Sequence, residues 1–180
     1  MNKQSHINFP LAYHIVISCY GRWLHGHSEM SVDRHLENFP GSPFLRPDPE
    51  LVRYEYEKMK QYPYKMDSVR RKEILGAIIE VCQYRGWLLH AAHVRSSHVH
   101  AVVQANTPPQ NILGDFKAYS SRRLNTKGLE SKNRIKWSRH GSTKYLWTKD
   151  EVERAVKYVI EEQGEQMEIY SIQEASVTEN

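Results

Sequence analysis

His93, His98 and His100 lie close together in a segment, His93-Val94-Arg95-Ser96-Ser97-His98-Val99-His100-Ala101-Val102-Val103, that has the pattern of a β-hairpin. Alternate residues of a strand share a face, so His98 and His100 project one way while Val99 and Ala101 project the other. Two imidazoles aimed at one point are a metal-binding arrangement. With Ser96-Ser97 as a two-residue turn, Arg95 falls opposite His98 and His93 opposite His100, which brings a third imidazole to the same face. A His-x-His pair taken alone is more often incidental, so its weight depends on the next element of the chain.

That element is a helix. Thr107-Pro108-Pro109-Gln110 has the form of a capping box with proline in the first turn. Ile112, Leu113, Phe116, Ser120 and Leu124 then recur at helical spacing and would face a sheet, leaving Lys117, Arg122 and Arg123 as a basic surface. Tyr119, the only tyrosine on this helix, sits at the rim of the apolar stripe. A tyrosine in that place most often packs with its hydroxyl at the edge.

His98-Val99-His100 followed by a helix with Phe116-Lys117-Ala118-Tyr119-Ser120-Ser121-Arg122-Arg123-Leu124-Asn125 resembles the small single-tyrosine HUH transposases, IS200-like, and within them the REP-associated tyrosine transposase branch. The likeness runs from the first strand near Tyr13 to about Gly164. It implies a single-stranded DNA endonuclease and strand transferase in which His98 and His100 hold a divalent metal, Mg²⁺ or Mn²⁺, and Tyr119 attacks the phosphodiester to give a covalent 5′-phosphotyrosyl intermediate. Single-stranded or hairpin DNA is the implied partner, bound by a monomer or a homodimer. The resemblance also implies a polar side chain about one turn past the tyrosine, completing the metal site. The residue at that offset from Tyr119 is Arg123, which cannot ligate a cation. Two imidazoles suit Mn²⁺ better than Mg²⁺, which prefers oxygen, so a further oxygen ligand would help. Asp115, one turn before Tyr119 on the same side of the helix, and His93, through the hairpin register, are the substitutes; Asn125 is poorly phased. The mismatch at Arg123 keeps a second reading alive, a non-cleaving DNA-binding module derived from such a transposase.

The rest of the chain must position these residues. With 180 residues it can bury the core of one domain, and a formal charge of +4 favours a polyanionic partner. Lys117, Arg122 and Arg123 on the helix, with Lys132, Arg134, Lys136 and Arg139 around Trp137, are the expected phosphate contacts. Cys19 and Cys82 form neither a disulfide framework nor a zinc pattern, which suits a reducing cytoplasm. No apolar run is long enough to cross a bilayer.

From the N-terminus, Leu11 to Tyr20 reads as a central strand. A second His-x-His, His25-Gly26-His27, comes next in a loop and ranks below His98 and His100 as a metal pair. Residues 28–66 form an insertion that holds five of the eight prolines, a short helix within 49–62, and a set of tyrosines (Tyr54, Tyr56, Tyr62, Tyr64) interleaved with lysines that could stack bases. Asp67 to Gly86 is a core helix, and Trp87 to Val94 the strand that leads into the hairpin. After Lys144-Tyr145-Leu146-Trp147, a last strand, Thr148-Lys149-Asp150-Glu151 caps a final helix that ends by Gly164 and is assigned packing but no chemistry. Residues 165–180, rich in glutamate and without lysine or arginine, read as an acidic tail beyond a single domain spanning 1–164. The element order predicts an α+β fold of split βαββαβ type, a four-stranded antiparallel sheet with helices on one face and a long insertion after the first strand.

Overall fold

The computed structural model describes residues 9–22 and 48–172. The His25–His27 pair, most of the insertion and the end of the tail lie outside the described residues. The described chain runs β1 (Ala12–Cys19), α1 (Pro49–Glu57), α2 (Ser68–Arg85), β2 (Leu88–Val94), β3 (His98–Gln104), α3 (Pro109–Thr126), β4 (Trp137–Leu146), α4 (Lys149–Glu161) and β5 (Glu168–Ser171). The fold is α+β, as expected. Its sheet has the order β4-β1-β3-β2-β5 with every pair antiparallel, so the split βαββαβ core carries one strand more than the four expected.

The extra strand, β5, falls within the residues read as a tail. It pairs with β2 through Ala91↔Ser171 and His93↔Ile169. Its four residues are too few to show a period of two, and the neighbouring glutamates hide the partly buried Ile169 and Tyr170.

Alternation along the central strands builds two faces. Tyr13, Ile15, Ile17 and Cys19 of β1, with Val99, Ala101 and Val103 of β3, point into a large apolar core with Ile74, Ile78 and Val81 of α2 and Ile112, Phe116 and Leu124 of α3. Ala12, Ala91, Val102 and Leu146 point the other way and meet Ala155 and Val159 of α4. The helices therefore pack on both faces rather than one. A helix with one apolar stripe fits either side of a sheet whose two faces are both apolar, and the sequence order does not choose between them.

Local signals explain where the helices start and stop. Asp67 accepts a hydrogen bond from the Arg70 amide at 2.8 Å, and Gly86, at φ 67°, ends α2 in the left-handed conformation that glycine adopts without penalty. Thr148 and Glu151 form the expected capping box of α4: Thr148 Oγ1 accepts from the Glu151 amide at 3.3 Å, while Glu151 Oε2 accepts from the Trp147 and Thr148 amides. The box expected at Thr107 does not form. Two prolines move the start of α3 to Pro109, and Thr107 Oγ1 instead accepts from the Asn111 side-chain amide at 3.0 Å.

The β2–β3 register slips between Leu89 and Ala91, leaving His90 as an extra residue in a β-bulge. Leu89 faces the α2/α3 core while Ala91 faces α4.

Candidate active site

The hairpin has the register that its sequence implies. His93 pairs with His100, and the Arg95 amide donates to the His98 carbonyl at 2.8 Å across the Ser96-Ser97 turn. Because Val99 and Ala101 turn into the α2/α3 core, His98 and His100 turn toward α4. Their ring centroids are 4.8 Å apart, and only 8% and 7% of their surfaces are exposed.

A fourth histidine completes the cluster. His14 of β1 lies beside β3, and its Nε2 is 3.0 Å from His100 Nδ1, with the two rings stacked at 5.3 Å. Burial pushes His100 down to about 3, with smaller contributions from positive neighbours led by His14 and then Arg22, His93 and Arg95. Burial pushes His14 down to about 4, helped by the Lys144 charge. Both rings are neutral near pH 7, the state in which imidazole ligates a metal. His14 escapes sequence reasoning because it stands alone in its strand, 86 residues from its partner. Only the β1–β3 pairing reveals it.

His93 takes another role than the one expected. Its Nδ1 is 3.1 Å from the Val159 carbonyl and its Nε2 accepts from the Met167 amide at 3.2 Å. The amide can only donate, so Nε2 is the acceptor and Nδ1–H donates to the carbonyl. With both nitrogens committed to the backbone, this fully buried ring ties β2 to α4 and to the chain entering β5, and offers no lone pair to a metal.

The residues expected on α3 are not brought to the histidines. Tyr119 packs at the α2/α3 side of the sheet, 6.4 Å from the Tyr84 ring and with the Arg122 guanidinium 5.0 Å from its own centroid. Asp115 is paired with Arg85 at 2.8 Å on the same side. Ile112, Phe116, Ser120 and Leu124 hold α3 against the face that carries Ile15 and Val99, and the sheet separates Tyr119 from His98 and His100.

Tyr158 of α4 is on the histidine side. Its ring is 5.8 Å from that of His14 and 6.0 Å from that of His100, both edge to face, and the residue is 40% exposed. It lines a cavity of about 400 Å³ together with His98, Arg22, Arg95, Glu162 and Gln163. Glu162 stands one helical turn past Tyr158. The signal that could have found Tyr158 is its place beside Val159 on an amphipathic helix, but the sequence does not say which face of the sheet that helix covers. Among the described residues no third His, Cys, Asp or Glu groups with the pair at ligating geometry. His98 and His100 are the imidazoles that could hold a divalent cation, and Glu162 is the carboxylate among the residues that line the cavity.

Most of the cations expected to meet phosphates are engaged inside the protein. Lys117 Nζ donates to the carbonyls of Ser138, Arg139 and His140 at 3.0–3.2 Å, fastening β4 to α3. Arg123 pairs with Glu73 at 2.7 Å and Glu80 at 2.9 Å. Arg134 donates to Gln61 Oε1 and to the Tyr62 and Pro63 carbonyls, and Lys136, 4% exposed, to the Ser131 and Arg134 carbonyls. Lys132 and Arg139 are exposed. Of the insertion's tyrosines, Tyr64 is buried in the core, whereas Tyr56 and Tyr62 border a separate cavity of about 780 Å³ with Lys60 and Arg134.

The family model for IS200-like transposases matches residues 59–163, a span that holds the histidine pair and both tyrosines. No curated protein matches the chain. Similar solved structures include a REP-associated tyrosine transposase bound to a REP hairpin, at 11% identity and TM-score 0.47, the similarity covering 89% of this chain and 70% of that one. Another is a chain from Deinococcus radiodurans R1 designated as a transposase, at 15% identity and TM-score 0.43, covering 91% of this chain and 98% of that one.

Proposed function

The chain belongs to the IS200-like transposase family, and from that premise we propose that it is a metal-dependent nuclease and strand transferase for single-stranded or hairpin DNA whose nucleophile is Tyr158. The observation that carries this reading is the contact of the Tyr158 ring with His14 and His100 at the wall of the cavity that also holds His98. His98 and His100 would hold the divalent cation, Mg²⁺ or Mn²⁺, with Glu162 as an oxygen ligand. Bound there, such a cation would supply positive charge beside the scissile phosphate, where negative charge builds during attack.

The protein's own groups do the rest. Arg22 and Arg95 line the same cavity; Arg95 spends Nη1 on a single hydrogen bond to the Glu165 carbonyl at 3.1 Å, and the rest of its guanidinium, with that of Arg22, would meet the phosphate and its neighbour in the strand. Tyr158 Oη, at a partly exposed position on the cavity wall, gives up its proton to solvent and forms a bond to phosphorus as the bond from phosphorus to the 3′ oxygen breaks. The 5′ end stays esterified to the tyrosine, and the departing 3′ oxygen takes a proton to become the hydroxyl used in strand transfer. Attack by a 3′ hydroxyl on the phosphotyrosine reverses the exchange and regenerates the phenol.

Phosphate contacts away from the cavity fall to Lys132, Arg139 and Arg122. Lys117, Arg123, Arg134 and Lys136 support the fold instead, because their head groups are already bonded to carbonyls and carboxylates. The second reading, a non-cleaving DNA-binding module, draws on the lack of a third His, Cys, Asp or Glu at ligating geometry among the described residues. Incubation with labelled hairpin oligonucleotides and Mn²⁺, with peptide mapping of any denaturation-resistant adduct, separates the two. Nucleotide on the peptide that contains Tyr158 supports the enzyme. No adduct with a panel of hairpins would leave the binding module, and nucleotide on the Tyr119 peptide would overturn the choice of tyrosine.

A further inference from the structure

We propose that His14 is a positioning residue that holds His100 in the Nδ1–H tautomer, so that the Nε2 lone pair of His100 faces the cation. The inference rests on the metal-site reading above. Two neutral imidazoles whose nitrogens are 3.0 Å apart share one proton, and it must be on one ring or the other. If His14 Nε2 carried it, His100 would be left with its own proton on Nε2, where it would block coordination. If His100 Nδ1 carries it, His14 Nε2 accepts and His100 Nε2 is bare. Only the second arrangement makes His100 a ligand.

The setting holds both rings where the exchange needs them. His14 and His100 project to the same side of adjacent strands, stack at 5.3 Å, and are both touched edge-on by Tyr158. His100 is nearly enclosed. A ligating histidine commonly gives its second N–H to a carboxylate or a carbonyl, and loss of that acceptor weakens metal binding by about 10- to 100-fold. Here the acceptor is an uncharged imidazole, which orients His100 without adding negative charge beside the nucleophile. His98 is served differently, since its Nδ1 is 3.3 Å from the Ser97 hydroxyl.

The test uses the full chain in two measurements. Long-range ¹⁵N NMR on the metal-free protein should show His100 as the Nδ1–H tautomer. Mn²⁺ titration should show about 10- to 100-fold weaker binding in His14→Phe, which keeps a ring against Tyr158 but has no acceptor. His14→Gln places an amide oxygen at similar reach and should recover most of the affinity. A His100 proton found on Nε2, or unchanged Mn²⁺ affinity in His14→Phe, overturns the proposal. His98→Ala and His100→Ala serve the metal-site reading separately: Mn²⁺ binding that survives both would sink that reading, while the tautomer measurement still judges the His14–His100 bond on its own.

Discussion

The two faces of the sheet are made by the same strands and differ in nearly everything else. Toward α2 and α3, β1 and β3 present Tyr13, Ile15, Ile17, Val99, Ala101 and Val103, and the helices answer with isoleucine, valine, phenylalanine and leucine. Toward α4, the intervening residues present His14, His98, His100 and Val102, and β2 adds His93. The first face is dry and supplies most of the apolar burial. The second has a small apolar patch around Val159 and gives the rest of its area to imidazoles, where burial keeps His14 and His100 neutral. Polar groups in such a site are tolerable because they bond to one another or to the backbone, as His93 does with Val159 and Met167. Each face also has a candidate tyrosine carried on a helix, and the contrast between Tyr119 and Tyr158 is the sharpest way to ask which face does chemistry.

The largest effect is expected from exchanging those hydroxyls for hydrogen. If Tyr158 is the nucleophile as proposed, Tyr158→Phe should lower cleavage on the order of 10³-fold or more with little loss of DNA affinity, since it removes the hydroxyl and leaves the ring. Tyr119→Phe should stay within a few-fold of wild type. Single-turnover cleavage of a hairpin oligonucleotide with Mn²⁺ measures both, and the reverse ranking would assign the chemistry to the α2/α3 face.

Stability should divide the faces next. Phe116→Ala empties a fully buried site in the dry core and should cost about 3–5 kcal/mol in denaturant unfolding. His93→Ala strands the Val159 carbonyl and the Met167 amide and should cost roughly 1–3 kcal/mol. Equal losses would mean that the α4 face is packed as firmly as the other.

The smallest effects concern two arginines. Arg95→Ala at the cavity should weaken DNA binding and reduce the slope of log affinity against log salt by about 1, as loss of one phosphate contact does. Arg123→Ala breaks partly exposed ion pairs and should change stability by no more than about 1 kcal/mol and the salt slope not at all. A lowered slope in Arg123→Ala would return that residue to the DNA surface.

Much of the molecule is legible in its sequence. The pairing of His93 with His100 comes from a two-residue turn, the stripe from Ile112 to Leu124 from helical spacing, and the start of α4 from Thr148 and Glu151. These are local rules, and each works within about a dozen residues. The features that stay hidden depend on distant partners. Tyr119 draws attention because its helix comes next after the histidines, yet chain order does not fix the side of the sheet on which a helix lands. Lys117, Arg134 and Lys136 show their charge in the sequence, but not the carbonyls that claim it. His14 gains its meaning only once β1 lies against β3, and β5 is too short to announce itself.

The bulge at His90 bears on how the strand tolerates changes of length. Leu89 already faces the dry core and Ala91 the other side, so His90 is a supernumerary residue between two that are correctly phased. Deleting it would leave Leu89, Ala91, Ala92 and His93 in plain alternation, each on the side it occupies now. A one-residue loss elsewhere in β2 would swap the faces for every residue on one side of the cut. At this position the strand carries a spare link, and lineages could shed it without turning His93 away from α4.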